Sequence, residues 1–493
     1  MTILAVATVL KEAGIVLAAL LAAAVVLAPA ARARGAAMLG ALVLTPVLLV
    51  AEIWDTPQFE PIRARPALAA AGTVAGLVAL GLAAWAIDRR PVLLPLAATL
   101  ALPFRVPIES GGESANLLVP LYLVVAAGAL AFAVPRLRGE RPAREATPRG
   151  PLEWLLLGAV ALYAVQAAYS GDFTHALEQV VFFYVPFGLL YTLLLSVPWT
   201  TDLARRCLYV LVALALVFSA VGFVEYATRT VLLNPDVIAS NQFQTYFRVN
   251  SLFFDPNIYG RFLVVVLTAL VAVVLWCARR RTVALAAGAS AVLFGGLVLT
   301  LSQSSLGALL VGLVVLAALR WDPAWTAATV AGVVAVAAAA VFAFPDAVKV
   351  DLGSGESVDK ATSGRVDLLE GGVRLFADRP VAGWGSGAFT EEFRRAERVS
   401  GEEAADASHT TPVTIAAEQG AIGFAVYLAL LGAAFLRLLR GARASPVRAA
   451  LAAAFAGLVF HTLLYAAFLE DPLTWTLLAA GSAFALRPAA EPQ

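Results

Sequence analysis

Apolar runs of about twenty residues, separated by short polar links, recur along the chain. The stretches 207–226 and 258–277, for example, carry a single charged residue each. About 20 such residues are needed for a helix to cross the hydrocarbon of a bilayer. Only helices or closed barrels satisfy their backbone groups in lipid. The runs are uninterrupted and do not alternate in segments of about ten, which selects helices over a barrel. Spans are expected near 13–31, 36–54, 67–87, 92–104, 116–134, 152–169, 177–197, 207–226, 258–277, 283–301, 304–319, 325–344, 421–440, 449–468 and 473–486. The expected fold is all-α: a polytopic integral membrane helical bundle of about 12–15 transmembrane helices with a large extracytoplasmic loop containing short helices. Apolar residues make up 61% of the chain and charged ones 14%, which excludes a soluble enzyme and a disordered chain. A formal net charge of +1 provides no field for a polyanion, so no nucleic-acid partner is expected.

Charge placement orders the spans. Alternate connections hold Arg32 and Arg34, Arg89 and Arg90, Arg136 to Arg149, Arg205 and Arg206, Arg279 to Arg281, Arg320, and Arg437 to Arg448. The other connections hold most of the acidic residues. Short basic links stay cytoplasmic, so the acidic side faces out. Lys11 and Glu12 interrupt the first apolar run, which ends in Arg32 and Arg34, so no cleavable leader is expected. The division is then 1–344, N-terminal transmembrane helices with an extracytoplasmic loop at 229–257; 345–420, a large extracytoplasmic loop; and 421–493, C-terminal transmembrane helices. Within the large loop a helix is expected around 363–378, with Leu368, Leu369, Val373 and Phe376 on one face, and a second at 388–398. Gly383, Gly385 and Gly387 between them are candidate hinges of a lid.

Chemistry-bearing residues gather on the outer side. There are three histidines. His461 sits in an apolar span, where a hydrogen-bonded packing role is expected, and His175 reads as a solvated loop residue. His409 stands in Asp406-Ala-Ser-His-Thr-Thr-Pro412, just before a long helix. Thr410 or Thr411 suits its N-cap and Pro412 its first turn. An imidazole there can take a proton near neutral pH. Arg248, Arg261, Arg365 and Arg374 lie on the leaflet that is ordinarily poor in basic residues, and guanidinium forks pair bidentately with phosphate oxygens. Asp351, Glu356 and Asp359 lack calcium-loop spacing. The sequence holds no Asp-x-Asp, P-loop or His-Glu-x-x-His motif. No cofactor, no metal and no nucleotide donor are therefore expected.

Taken in order, five pieces carry a resemblance: Arg248 with Asp255-Pro-Asn257 and Gly260; Thr300-Leu-Ser-Gln-Ser304; Ser363-Gly-Arg365; Arg379-Pro-Val-Ala-Gly383-Trp-Gly385-Ser-Gly387-Ala-Phe389; and His409 with Glu418-x-Gly420-x-x-Gly423. Their order resembles the bacterial O-antigen ligase/O-antigen polymerase family. The resemblance implies a metal-independent membrane glycosyltransferase working on the outer face of the cytoplasmic membrane. Its donor would be a glycan on undecaprenyl diphosphate. The acceptor would be a sugar hydroxyl on a lipid-linked repeat unit or a lipid A-core-type molecule. His409 corresponds to the catalytic base and Arg248 to the diphosphate-binding arginine. Gln303, counted with Arg248, Arg261, Arg365 and Arg374 in the diphosphate site, stands where many members carry arginine, so either Arg261, Arg365 or Arg374 supplies the missing charge or the chain belongs to a divergent branch of the family. Asn257 and Glu418 are supporting residues. One base and fixed cations suffice for a single displacement with inversion. The alternative is a transporter or flippase of lipid-linked glycans, which predicts ionisable residues near mid-membrane in two matching halves.

Overall fold

The computed structural model describes residues 3–54, 60–110, 113–143, 150–233, 247–328, 331, 365–397 and 408–486. In chain order the helices are α1 (Ile3–Leu27), α2 (Ala31–Ile53), α3 (Glu60–Ala64), α4 (Pro66–Arg89), α5 (Leu93–Ala101), α6 (Val119–Leu137), α7 (Pro151–Gln166), α8 (Phe173–Gln179) and α9 (Val185–Leu195). They continue as α10 (Thr201–Thr228), α11 (Pro256–Trp276), α12 (Arg280–Leu299), α13 (Gln303–Arg320), α14 (Arg365–Asp378), α15 (Phe389–Glu397), α16 (Thr411–Leu439), α17 (Pro446–Thr462) and α18 (Pro472–Ala485). A π-helical turn, Val180–Tyr184, joins α8 to α9. Among the described residues, 11 helices are long and apolar enough to cross a membrane. The chain is a polytopic helical membrane protein, as the apolar runs require.

Two expected spans differ, and a third is mostly undescribed. The run at 92–104 forms only the nine residues of α5. At 1.5 Å per residue that is about 14 Å, half of a hydrocarbon core. Pro103 and Pro107 follow, and the chain turns into an antiparallel hairpin, β1 (Val106–Ser110) with β2 (Glu113–Leu117), in register Val106↔Leu117. The expected 421–440 span begins earlier, at Thr411, which puts Glu418 and Gly420 inside the helix. Most of the 325–344 run lies outside the described residues.

Small residues let the helices approach closely, as packing in lipid favours. Ala18, Ala19, Ala22, Ala37 and Ala41 are buried where α1 and α2 meet. Gly457 of α17 lies against the Ala308 carbonyl of α13, and Gly312 of α13 against the Ala453 carbonyl. The arginine-bearing ends share one face. Arg437 pairs with the buried Glu153 at the start of α7 (3.1 Å), Arg320 Nε donates to the Leu275 carbonyl (3.2 Å), and Arg443 to that of Ala318 (3.1 Å). The opposite ends of α10 to α13, α17 and α18 meet around the 247–252 and 463–471 segments.

Helix α16 breaks at Gly420, whose backbone (φ 64, ψ −164) is non-helical. The freed backbone groups are taken up by the 380–385 turn. Ala421 N–H donates to the Pro380 carbonyl (2.8 Å), Gly385 N–H to that of Glu418 (2.8 Å), and Trp384 N–H to that of Ala417 (3.1 Å). Gly383, Gly385 and Gly387 all have positive φ, and a Cβ on each would strike the backbone of a neighbouring segment. They are points where backbones touch, which corrects their reading as hinges. On α14 the buried side is Leu368, Gly371, Gly372 and Leu375, packed on Phe389, Phe393 and Ala417. Leu369 and Val373 are exposed, contrary to the expected face. The paired glycines decide this, because they let α14 lie directly against Phe393 and Val413.

Candidate functional site

The site grows from four chain turns at one end of the bundle. Asp255 caps α11 by accepting the N–H groups of Asn257 (2.6 Å) and Ile258 (3.2 Å), with Pro256 at the first helical position. This sets Asn257 at the helix start and Arg261 one turn in. Ser302 caps α13 through the Ser305 N–H (3.3 Å). Asp471 caps α18 through the Leu473 N–H (2.8 Å). The fourth turn is 408–411, which enters α16.

Arg248 lies on a segment fixed from below. The buried Glu225 accepts the N–H groups of Asn250 (3.3 Å) and Ser251 (2.8 Å), and Val249 N–H donates to the Leu299 carbonyl (3.2 Å). Arg248 Nε donates to the Thr300 carbonyl (3.0 Å) and Nη2 to Asn257 Oδ1 (3.3 Å). Asn257 Oδ1 also accepts from Ser302 Oγ (2.8 Å). The Thr-Leu-Ser-Gln-Ser motif thus joins Arg248 to the start of α11. Gln303 itself points away from this network and is exposed.

A buried polar chain continues from Ser302. Its Oγ lies 2.8 Å from Ser305 Oγ and 3.1 Å from Ser304 Oγ, and both of these face His461 Nε2 (3.1 and 3.2 Å). On the other side of the ring, His461 Nδ1 receives Arg261 Nε (3.2 Å) and Nη2 (3.1 Å). A guanidinium only donates, so Nδ1 accepts and Nε2 carries the hydrogen toward the serines. His461 is therefore held neutral as a packing residue, in line with the sequence reading. Arg261 is buried. It pairs with Asp471 Oδ2 (2.6 Å) and donates to the carbonyls of Tyr465 (3.4 Å), Ala466 (3.1 Å) and Ala467 (3.0 Å). Its fork is spent on the 465–471 segment, so its geometry fits a positioning role better than the diphosphate contact expected of it.

Tyr465 stands at the centre. Its ring is 5.8 Å from that of His461, 6.3 Å from that of His409 and 5.5 Å from the Arg261 guanidinium carbon. Burial pushes its hydroxyl well above the ordinary phenol range, and the Asp255 carboxyl against it adds to this. His409 itself has φ 57, a left-handed backbone that is rare for a residue with a side chain. The Ser408 hydroxyl holds it, accepting the Thr410 N–H (3.2 Å) and donating to the Thr410 carbonyl (2.9 Å). Thr410 occupies the cap position of α16, yet its hydroxyl donates to the Leu463 carbonyl (3.1 Å). That bond ties the His409 turn to the segment carrying Tyr465.

The structure thus brings Arg248, Asn257, Arg261 and His409 to one end of the bundle. Arg374 lies on an exposed part of α14. Arg365 opens α14, and its side chain lies outside the described residues. Glu418 is buried beside the α16 break, where it accepts the Phe389 N–H (3.2 Å) and anchors the start of α15. His175 packs under the Gly387 turn, and its ring lies within hydrogen-bonding distance of Gln179. It is less solvated than its sequence position implied. Sequence reasoning missed Tyr465 and Asp471. Among the described residues no group of three or more His, Cys, Asp or Glu side chains is placed to hold a metal ion.

Residues 288–428 match the family model described as O-antigen ligase. Over that segment the chain is similar to the O-antigen ligase family. No curated protein matches it in sequence. The segment similar to O-antigen ligase takes in the Ser302 turn, α14, α15, His409 and the Glu418–Gly420 break. Arg248, Arg261, His461 and Tyr465 lie outside it. The apolar helices make the chain a multi-pass membrane protein, and the matched segment is similar to an enzyme family.

Proposed function

We propose that the protein transfers a glycan from undecaprenyl diphosphate to a sugar hydroxyl at the outer face of the cytoplasmic membrane, without a metal. The acceptor is a lipid-linked repeat unit or a lipid A-core-type molecule. The observation that supports this best is the seating of His409. Its half-buried ring faces Tyr465, one residue away from the polar chain that runs through Arg261, His461, Ser305 and Asn257 to Arg248. A base and a guanidinium then border one rim.

His409 accepts the proton of the acceptor hydroxyl as its oxygen attacks the anomeric carbon. The bond from that carbon to the phosphate oxygen breaks, and the electron pair leaves with the diphosphate, which Arg248 holds. Attack from the face opposite the leaving group inverts the anomeric centre. Undecaprenyl diphosphate and the lengthened glycan are the products. Arg261 and Asn257 position Arg248 and the 465–471 segment. Glu418 holds the loop helices over the site. Gln303, beside the Ser302 turn, and Arg365 and Arg374, on α14, would meet the outer part of the donor.

The test is a product assay. The purified protein is incubated with lipid-linked repeat units alone, and then with a lipid A-core-type acceptor added. A ladder of longer lipid-linked chains identifies a polymerase, and product only after acceptor is added identifies a ligase. Movement of intact lipid-linked glycan across vesicles with no new glycosidic bond would overturn the proposal in favour of a flippase.

A further inference from the structure

Helix α14 has a third side beyond the packed and the polar one. With about 3.6 residues per turn, Leu368, Gly371, Gly372 and Leu375 form its packed side. Glu370, Arg374 and Asp378 form its polar side, and all three are exposed. Between these two sides Leu369, Val373 and Phe376 fall at i, i+4 and i+7, which is one apolar stripe. Leu369 and Val373 are exposed, Val373 by 53%, and Phe376 is half-buried. A helix that met only water beyond its packed side would have no use for that stripe.

The stripe does not stop at the end of the helix. Val381, in the following turn, is 66% exposed. Its carbonyl accepts the N–H of Ile422 (3.3 Å), just past the α16 break, and Ile422 is 47% exposed. From Ile422 the outward side of α16 runs on through Ala425, Leu428, Gly432 and Leu436, all exposed. On a membrane-crossing helix such a side faces acyl chains, which are as apolar as leucine.

Helix length places the junction in depth. The part of α16 beyond Gly420 ends at Leu439, next to Arg437 and Arg440. That is close to the roughly 20 residues needed to cross the hydrocarbon. With the arginines at the inner edge, the break falls at the outer edge. The 379–384 turn beside it carries residues of the interfacial kind. The Arg379 guanidinium stacks on the half-buried Trp384 ring (3.9 Å), and the exposed Tyr169 donates its hydroxyl to the Ala382 carbonyl (2.7 Å). Tryptophan and tyrosine are enriched where membrane meets water.

We propose that α14 is an interfacial helix resting on the outer leaflet, with Leu369, Val373 and Val381 among the outermost acyl methylenes and Glu370, Arg374 and Asp378 toward water. The occupant of the stripe is bilayer lipid, because the stripe continues one that already faces acyl chains. The proposal goes beyond glycosyl transfer and holds whether or not the protein performs it.

The experiment uses the full chain with Cys207→Ala and Cys277→Ala, reconstituted into vesicles of phosphatidylethanolamine and phosphatidylglycerol. A nitroxide is attached through Leu369→Cys, Val373→Cys, Val381→Cys or Asp378→Cys, with Leu428→Cys as the acyl-chain reference. Each protein is reconstituted only from its monodisperse fraction. Collisions of the nitroxide with lipid-soluble oxygen and with a water-soluble nickel chelate are then compared. The oxygen-to-nickel ratio at positions 369, 373 and 381 should be several-fold that at 378 and should approach that at 428. A ratio at 373 and 381 equal to that at 378 would put the stripe in water and overturn the proposal. Exclusion of both reagents would do the same, since protein, from this chain or a second copy, would then cover the stripe. Lipid contact at 381 without contact at 373 would leave α14 standing clear of the leaflet, and the proposal would fail.

Discussion

Arg261 Nη1 lies 2.6 Å from Asp471 Oδ2, and the two side chains are 2% and 5% exposed. The pair joins α11 to the start of α18 across 210 positions of sequence. Removing one member leaves a buried charge uncompensated, at a cost of about 3–5 kcal/mol. Arg261→Met and Asp471→Leu should each lower the thermal midpoint in detergent sharply. The double variant should lose less than the sum of the two. Additive losses in a double-mutant cycle would show that the pair is not coupled.

How much of this was readable is clear from the residues involved. The bundle was legible because a helix in lipid needs a long apolar run, and such runs are countable. The packing role of His461 was legible because a lone polar residue in such a run must find a partner. The identity of that partner was not. Arg261, His461 and Asp471 each lie on a different helix end, and no local pattern links them. α5 misled because its apolar composition is that of a span, and Pro103 and Pro107 stop it short. Glu418 and Gly420 were placed in a loop because a helix with a break beside glycine resembles a loop end in sequence. Only the 380–385 turn, by satisfying the freed backbone, allows the helix to run on.

The direction of the Arg261–His461 bond fixes the tautomer of His461. In protein labelled with nitrogen-15 at histidine, the His461 ring should give the signal of a neutral imidazole bearing hydrogen on Nε2 throughout the neutral pH range. A doubly protonated ring there would contradict the assigned network. It would also reopen His461 as a candidate base.

His409 adopts a left-handed backbone, which costs a residue with a Cβ about 1–2 kcal/mol. Nothing in helix capping requires a histidine there. His409→Gly should therefore be neutral or slightly stabilising in thermal unfolding while abolishing transfer. His409→Ala should abolish transfer with fold and membrane insertion intact. Transfer near the wild-type rate in either variant would remove His409 as the base.

Gly383 and Gly420 face each other across the α16 break. A Cβ on Gly383 would fall on the Glu418 carbonyl, and one on Gly420 on the Val381 carbonyl. Both have positive φ. Backbone strain of this kind costs about 1–3 kcal/mol, before any loss of the hydrogen bonds that close the break. Gly383→Ala and Gly420→Ala should each lower the thermal midpoint. Hydrogen exchange should quicken at the Gly385 and Ala421 amides in particular. Unchanged protection at those amides would mean that the turn does not depend on the glycines.

Arg248 already spends two donor groups inside the protein, Nε on the Thr300 carbonyl and Nη2 on Asn257 Oδ1. A guanidinium has five N–H donors in a fixed fork. The two bonds fix the plane and direction of the fork. An ammonium has three donors on a flexible stem and cannot reproduce that geometry. Arg248→Lys should therefore lose most of its transfer activity although the charge is kept, with the loss appearing in donor KM as well as kcat. Asn257→Ala removes one of the fork's fixed points and leaves the charge in place, so its loss should be smaller. Full activity in Arg248→Lys would show that only the charge of this residue matters, and the fork would then have no part in holding the leaving group.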